Sequence, residues 1–236
     1  MSIPAEVERL LVLQDKDTRL RRIDRELQRI PAEVEALEAR ISQARGALDA
    51  AREELQKLEI ERNRLDVDIK SKEQAISRFK TQQQQTRKND EYQALSHEIE
   101  RFQSDIGELE TAELEAMEEI DAVKARMSEA ERVFADEKDR LGGEIDVLGN
   151  KREALDKQRA EVLAERERLA AEVEPELLGI YGRLLKSKGD AVVVAVEHDV
   201  CTGCHMKLTT QTVHKVRAAR EIVHCENCSR ILYEAR

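Results

Sequence analysis

The stretch Lys80-Thr-Gln-Gln-Gln-Gln-Thr-Arg-Lys-Asn-Asp-Glu-Tyr92 offers almost nothing to bury, whereas the sequence on either side is apolar at helical spacing. Upstream, steps of three and four lead from Leu13 through Leu20, Ile23, Leu27, Ile30, Val34, Leu37, Ile41, Ala44, Leu48, Ala51, Leu55, Leu58, Leu65, Ile69 and Ile76 to Phe79. Only Lys16, Arg62 and Lys72 interrupt this ladder. An apolar seam held this long without internal caps predicts a coiled coil, with a rise of about 90 Å between Leu20 and Phe79. Downstream, a second seam runs from Tyr92 through Leu95, Ile99, Phe102, Ile106, Leu109, Ala116, Ile120, Val123, Met127 and Ala130 to Phe134. Beyond Phe134 the alternate rungs become Glu137, Glu144, Lys151, Gln158 and Glu165, which predicts a looser half.

Two seams separated by a short polar segment predict an antiparallel helical hairpin over residues 1–188 with its turn near 80–90. Asn89-Asp90-Glu91 reads as a helix restart with an N-cap and early acids. One continuous helix in a parallel dimer is the alternative. If Phe79 faces Tyr92, facing residue numbers sum to about 171, which sets Pro31 opposite residue 140, beside Gly142 and Gly143. Proline and glycine both weaken a helix, so a hinge is expected at that level. Against that, Ile30-Pro-Ala-Glu-Val-Glu repeats Ile3-Pro-Ala-Glu-Val-Glu, so Pro31 equally fits the start of a second helix.

Composition agrees with a mainly helical chain. Of 236 residues 38% are charged, 3% are aromatic and none is tryptophan, with nine glycines and three prolines. Long helices have this balance; layered globular domains rarely do. No run of about 18 apolar residues is present, so no membrane insertion is expected. The acidic start Met-Ser-Ile-Pro-Ala-Glu-Val-Glu lacks the basic and apolar regions of a signal peptide, which points to the cytoplasm.

After Pro175 one more amphipathic stretch, Leu177, Leu178, Tyr181, Leu184 and Leu185, ends at Ser187-Lys188-Gly189-Asp190. Ala191-Val-Val-Val-Ala-Val196 then reads as a strand and opens a small domain over 189–236. It holds all four cysteines, as Cys201-Thr-Gly-Cys204 and Cys225-Glu-Asn-Cys228, with 20 residues between the pairs. This is the spacing of a zinc ribbon with short β-strands. Two thiolates three residues apart on a tight turn reach one metal, with Gly203 letting the chain bend back. Two such turns complete a tetrahedron around one structural Zn2+ with no open position. A domain this short cannot bury enough surface alone, so metal binding is expected to supply much of its folding free energy.

Other readings of the cysteines are weaker. Cys201-Thr-Gly-Cys204-His205 also matches the attachment pattern of c-type haem, which leaves the second pair unexplained. A redox pair lacks its βαβ setting, and disulfides do not suit a reducing cytosol. Four histidines, His198, His205, His214 and His224, lie near the cysteines but are superfluous as ligands.

Charge locates the surfaces a partner could use. The net charge is −10, and the ribbon's six bases against five acids leave −11 on the first 190 residues. Residues 70–88 carry six bases against Glu73, a local +5, whereas residues 108–137 carry eleven acids against three bases. An anion or nucleic acid would therefore meet Arg78, Lys80, Arg87 and Lys88 at the tip, or Lys207, Lys215, Arg217 and Arg220 on the ribbon. No phosphate loop, serine nucleophile or buried carboxylate pair is visible, so no enzyme is expected.

The chain resembles the bacterial four-cysteine zinc-ribbon/coiled-coil family, long regarded as a domain of unknown function. The resemblance rests on Asn89-Asp-Glu-Tyr-Gln-Ala-Leu95, on Cys201-Thr-Gly-Cys204-His205 with Leu208 and Gln211, and on Cys225-Glu-Asn-Cys228-Ser-Arg230-Ile-Leu-Tyr233. Family members usually have proline and glycine where this chain has Glu226 and Ser229, and prolines where it has Thr209 and Thr210. The resemblance implies an adaptor whose protein partners are sigma-54 or flagellar and type III secretion components, acting in transcription regulation or secretion, and it also implies RNA binding. Seen from the residues alone, a nucleic-acid-binding regulator and a structural spacer remain alternatives. Monomer and homodimer are both open.

Overall fold

The computed structural model describes residues 4–189 and 191–235; Ile3, Asp190 and Arg236, used in the sequence reading, lie outside them. In chain order it contains α1 (Ala5–Gln85), α2 (Asn89–Ala171), α3 (Pro175–Lys188), β1 (Val193–Glu197), β2 (Val200–Cys201), α4 (Thr210–Ala218), β3 (Val223–His224) and β4 (Ile231–Glu234). Tertiary contacts group the chain into two compact units, residues 35–145 and residues 1–34 with 146–236. No helix among the described residues is long and apolar enough to cross a membrane.

In the unit 35–145 the two arms run antiparallel, joined by the three residues between Gln85 and Asn89. Cross-arm ion pairs show the direction: Lys72 with Asp105 at 2.6 Å, Arg62 with Glu113 at 3.4 Å, Arg126 with Glu54 at 2.8 Å and Arg40 with Glu137 at 3.2 Å. As the number falls on one arm it rises on the other. Leu48, Ala51, Ile69 and Ile76 are buried against Ile99, Ala116, Ile120, Val123 and Leu141, while the remaining apolar rungs from Val34 to Phe79 are half-buried.

The register differs from the expected one. Phe79 meets Phe102 edge-on, with centroids 5.6 Å apart and planes at 77°, and Gln83 Nε2 donates to Ser96 Oγ at 2.7 Å. Facing numbers therefore sum to about 180 rather than 171, and Tyr92 stands 49% exposed outside the seam. The cause is local. α1 continues through its glutamines to Gln85, so the first turn of α2 closes the end of the hairpin and has no rung opposite. The side chain of Glu91 then accepts from Lys88 at 2.9 Å and from Thr86 Oγ1 at 2.8 Å, and these bonds, the ammonium's first, hold its carboxyl below the usual range.

The unit of residues 1–34 and 146–236 holds the base of the two helices, α3 and the strands. Lys151 pairs with Glu26, Arg159 with Asp24 and Lys16 with Glu165, at 3.3, 2.6 and 2.7 Å. Two of the polar rungs of this stretch, Lys151 and Glu165, are thus used as ion pairs to α1. Pro31 lies inside α1 and does not open a second helix. On this register it stands opposite residues near 149 rather than 140, because the pairs around it share the sum of about 180.

At the base, Val7, Leu10, Leu13, Ala170, Val173, Leu177, Tyr181, Val192, Val193 and Ile231 form one apolar cluster. Within it Asp17, 7% exposed, accepts from Tyr181 Oη at 2.8 Å and from Arg166 Nε at 3.1 Å. Gln14 reaches the strands: its Oε1 accepts from the backbone N–H groups of Val192 and Val193 at 2.6 and 2.7 Å, and its Nε2 donates to Val193 O at 2.9 Å. Pro175 opens α3 and Gly189 closes it with φ 69°, the left-handed cap that favours glycine. The sheet order is β2-β1-β4-β3, with β1 and β4 parallel and the other pairs antiparallel.

Leu10→Ala removes a fully buried side chain and should cost about 2–5 kcal/mol in chemical denaturation. Burial first, and then the Asp17 carboxylate, raises the Tyr181 phenol above its ordinary range. A raised folded-state value means that this group adds stability below about pH 10 which is lost as pH rises further. Tyr181→Phe should remove that alkaline decline, read as unfolding midpoints across the range, and should cost about 1–3 kcal/mol near neutrality by leaving Asp17 a donor short.

Candidate metal centre

The centre is built by two turns of the same design. β1 and β2 are joined by His198 and Asp199, both at positive φ (50° and 63°), a two-residue reversal that delivers Cys201 at the end of β2. After Cys201 the chain turns back: His205 N donates to Cys201 O at 2.8 Å and Cys201 N donates to Met206 O at 3.1 Å. The second turn repeats the pattern, with Ser229 N to Cys225 O at 2.8 Å and Cys225 N to Arg230 O at 2.8 Å. His205 and Ser229 occupy equivalent places and both are left-handed, at φ 58° and 63°.

These turns bring the four sulfurs within 4.8 Å of one another. Cys201 and Cys228 are 3.9 Å apart and Cys204 and Cys225 are 3.7 Å apart. No disulfide joins them. A tetrahedron with Zn–S distances of about 2.3 Å has sulfur edges of about 3.8 Å, so the donor set and its spacing fit one zinc ion. With four thiolates bound, zinc would supply structural cross-linking and no open position for substrate.

Burial pushes the Cys201 thiol up to about 12 and raises Cys225 as well. Burial also acts upward on Cys228, but hydrogen bonds from the backbone and side chain of Arg230, with Cys204 and Cys225, outweigh it and bring Cys228 down to about 7. Buried thiols that resist ionisation alone are stabilised as thiolates by a dication, which couples metal binding to folding.

Arg230 ties the halves together, a role that its place in the family's closing motif does not announce. Its guanidinium is buried, with Nε donating to Ala191 O and one terminal nitrogen to Gly203 O, both at 2.8 Å. Gly203 is needed for this contact rather than for its backbone: a Cβ there would lie 2.6 Å from Arg230 Cδ, and its φ is not left-handed. Two departures from the family pattern also meet. Thr209 caps α4 and donates to Glu226 Oε1 at 2.9 Å, and Thr212 Oγ1 donates to the same oxygen. The Thr212 hydroxyl first, and then that of Thr209, holds the Glu226 carboxyl below its usual range.

The other candidate residues are dispersed. Arg217 pairs with Asp199 and Glu234 at 3.1 and 3.2 Å, and Lys215 with Glu221 at 3.2 Å, leaving Lys207 and Arg220 as the exposed ribbon bases with no ion pair among the described residues. At the tip α2 brings Asp90, Glu91 and Asp105 beside the basic stretch. Lys88 pairs with Glu91 and Lys72 with Asp105. Arg78, Lys80 and Arg87 are exposed. His198, His205, His214 and His224 are all largely in solvent, outside the thiol cluster.

Elemental analysis of purified protein should return one zinc per chain, and Cys225→Ser should lower that stoichiometry together with ribbon protection in hydrogen exchange. Gly203→Ala should destabilise the ribbon, because the buried Arg230 side chain has to shift. Ser229→Gly should stabilise it by about 1 kcal/mol by removing a left-handed L-residue.

Residues 13–189 match the CT398-like coiled coil hairpin domain family and residues 200–232 match the C4-type zinc ribbon domain, which contains all four cysteines. Among solved structures, CT398 from Chlamydia trachomatis is 26% identical, with 98% of each chain covered and a TM-score of 0.87. A protein from Mycobacterium smegmatis, 22% identical over the whole of both chains with a TM-score of 0.77, and HP0958 from Helicobacter pylori, 14% identical over 99% of each with a TM-score of 0.55, share the fold. An uncharacterized Mycobacterium tuberculosis protein is 26% identical over 140 residues, 58% of this chain, and the match spans 57% of that relative's length. Both family descriptions specify a fold, a coiled-coil hairpin and a zinc ribbon, and name no reaction. A hairpin of paired helices ending in a four-thiol ribbon, matched over most of its length, places this chain in the CT398-like coiled-coil hairpin family with a C4-type zinc ribbon.

Proposed function

We propose that the chain is a non-catalytic adaptor of the cytoplasm in which the paired helices offer one partner-binding face and the ribbon a second, with Cys201, Cys204, Cys225 and Cys228 holding one structural Zn2+. The observation that supports this best lies on α2. Leu114 is 62% exposed and Met117 44% exposed. Near them in sequence the side-chain carboxylates of Glu108, Glu110, Glu115, Glu118, Glu119 and Asp121 take part in no ion pair or hydrogen bond among the described residues. Exposed apolar side chains ringed by uncompensated carboxylates suit a partner segment that is apolar and basic. In keeping with the family resemblance, the partner proposed is sigma-54 or a flagellar or type III secretion component.

A second reading, RNA binding at the hairpin tip, is favoured by the exposed Tyr92, an aromatic face at the same end as Arg78, Lys80 and Arg87. The two readings respond differently to salt. Phosphate contacts weaken steeply with ionic strength, by a log–log slope of about −0.7 per contact for single strands, and reversal of Arg78, Lys80, Arg87 and Lys88 abolishes them.

In affinity capture from the native cell, the double variant Leu114→Ser, Met117→Ser should reduce partner retention by about tenfold or more, the scale of a contact at the centre of an interface. Capture that retains neither sigma-54 nor a secretion component would remove those partners from consideration.

A further inference from the structure

The ribbon sheet has two faces with different loads. On one face Val194, Val196 and Leu232 pack with Leu208, Val213, Val216 and Val223 around Cys201, Cys225 and Cys228, so the ligands themselves form part of that core. On the other, Val193 and Ile231, together with Val192, pack against Val7, Leu10, Leu13 and Tyr181. Alternation along β1 and β4 assigns neighbouring residues to the metal side and to the helix side. Val193 pairs with Ile231 and Val194 with Leu232, so the parallel register that orders one face orders the other.

Polar contacts follow the same route. Arg230, next but one to Cys228, holds Gly203 O of the first turn and Ala191 O at the entry to the sheet. Ile231 N donates to Val192 O at 2.9 Å. Gln14 then takes the N–H groups of Val192 and Val193 and the carbonyl of Val193, so its three hydrogen bonds exist only while that backbone is ordered.

We infer that the ribbon is a metal-dependent latch on the N-terminal end of α1: zinc at the four thiols orders the sheet, and the sheet holds residues 5–17 through Gln14 and the Val192, Val193 and Ile231 contacts. Loss of the metal releases that end of the helix and uncovers the apolar side chains of Val7, Leu10 and Leu13. This rests on the zinc assignment proposed above.

The test is hydrogen exchange on the full chain, with zinc content measured in parallel, before and after removal of the metal with excess EDTA and again after zinc is restored. Protection over residues 5–17 should fall by roughly tenfold or more on removal and return with zinc, while residues 60–75 stay unchanged. Gln14→Ala should keep one zinc per chain and a protected ribbon, yet lose protection at 5–17 with the metal still bound. The latch is overturned if residues 5–17 keep their protection when the metal is gone and residues 200–232 exchange freely, or if Gln14→Ala leaves 5–17 as protected as in the native chain. Native protein without zinc would overturn both the metal assignment and the latch.

Discussion

A narrow apolar seam cannot be left facing water, and over residues 35–145 it is covered by the second arm of the same chain. Everything else in that unit follows from this constraint. A helix of this composition is marginal by itself, since its stability comes from the stripe it buries rather than from propensity. The three-residue connection after Gln85 keeps the partner stripe close, and the exposed cross-arm pairs add direction and register more than energy. The Phe79–Phe102 contact, with the Lys72 ammonium 4.9 Å above the Phe102 ring, marks the register at the tip.

The other unit solves a different problem. Its sheet has four strands, two of them only two residues long, which is too little surface for an ordinary core. Sulfur ligands take the place of apolar bulk on one face, and the helical base covers the opposite face. Polar groups at the seam between sheet and helices are satisfied in place. Asp17 has Tyr181 and Arg166, Gln14 has the β1 backbone, and Arg230 has two carbonyls. Buried polar groups arranged this way restrict alternatives, because each wrong arrangement leaves one of them without a partner.

Much of this was legible in the sequence. Spacing of three and four between apolar residues identified the seams from Leu13 to Phe134, and the two Cys-x-x-Cys turns identified the metal centre, because both signals are periodic or close in sequence. What was not legible depends on residues far apart. The register was misjudged because Tyr92 fits the ladder by count, while the actual rung is set by Gln83 meeting Ser96 and Phe79 meeting Phe102. Two partners of the basic stretch 70–88 belong to the other arm, Asp105 for Lys72 and Glu91 for Lys88, and spacing within one helix does not show such pairs. Gly203 was credited to a backbone bend, but its need arises from Arg230, 27 residues later. Gln14 gave no signal, since a lone glutamine between apolar rungs resembles an ordinary solvated position.

The base cluster joins Leu10 to Ile231, which lie 221 residues apart. Residues 35–145 are contiguous and can zip from their turn as soon as they leave the ribosome. The first turns of α1 have no covering strands until β1 and β4 have been synthesised. At about 5–20 residues per second that delay is on the order of ten seconds or more. During it Val7, Leu10 and Leu13 lack the cover of Val192, Val193 and Ile231, so one end of α1 is made secure only by strands synthesised much later.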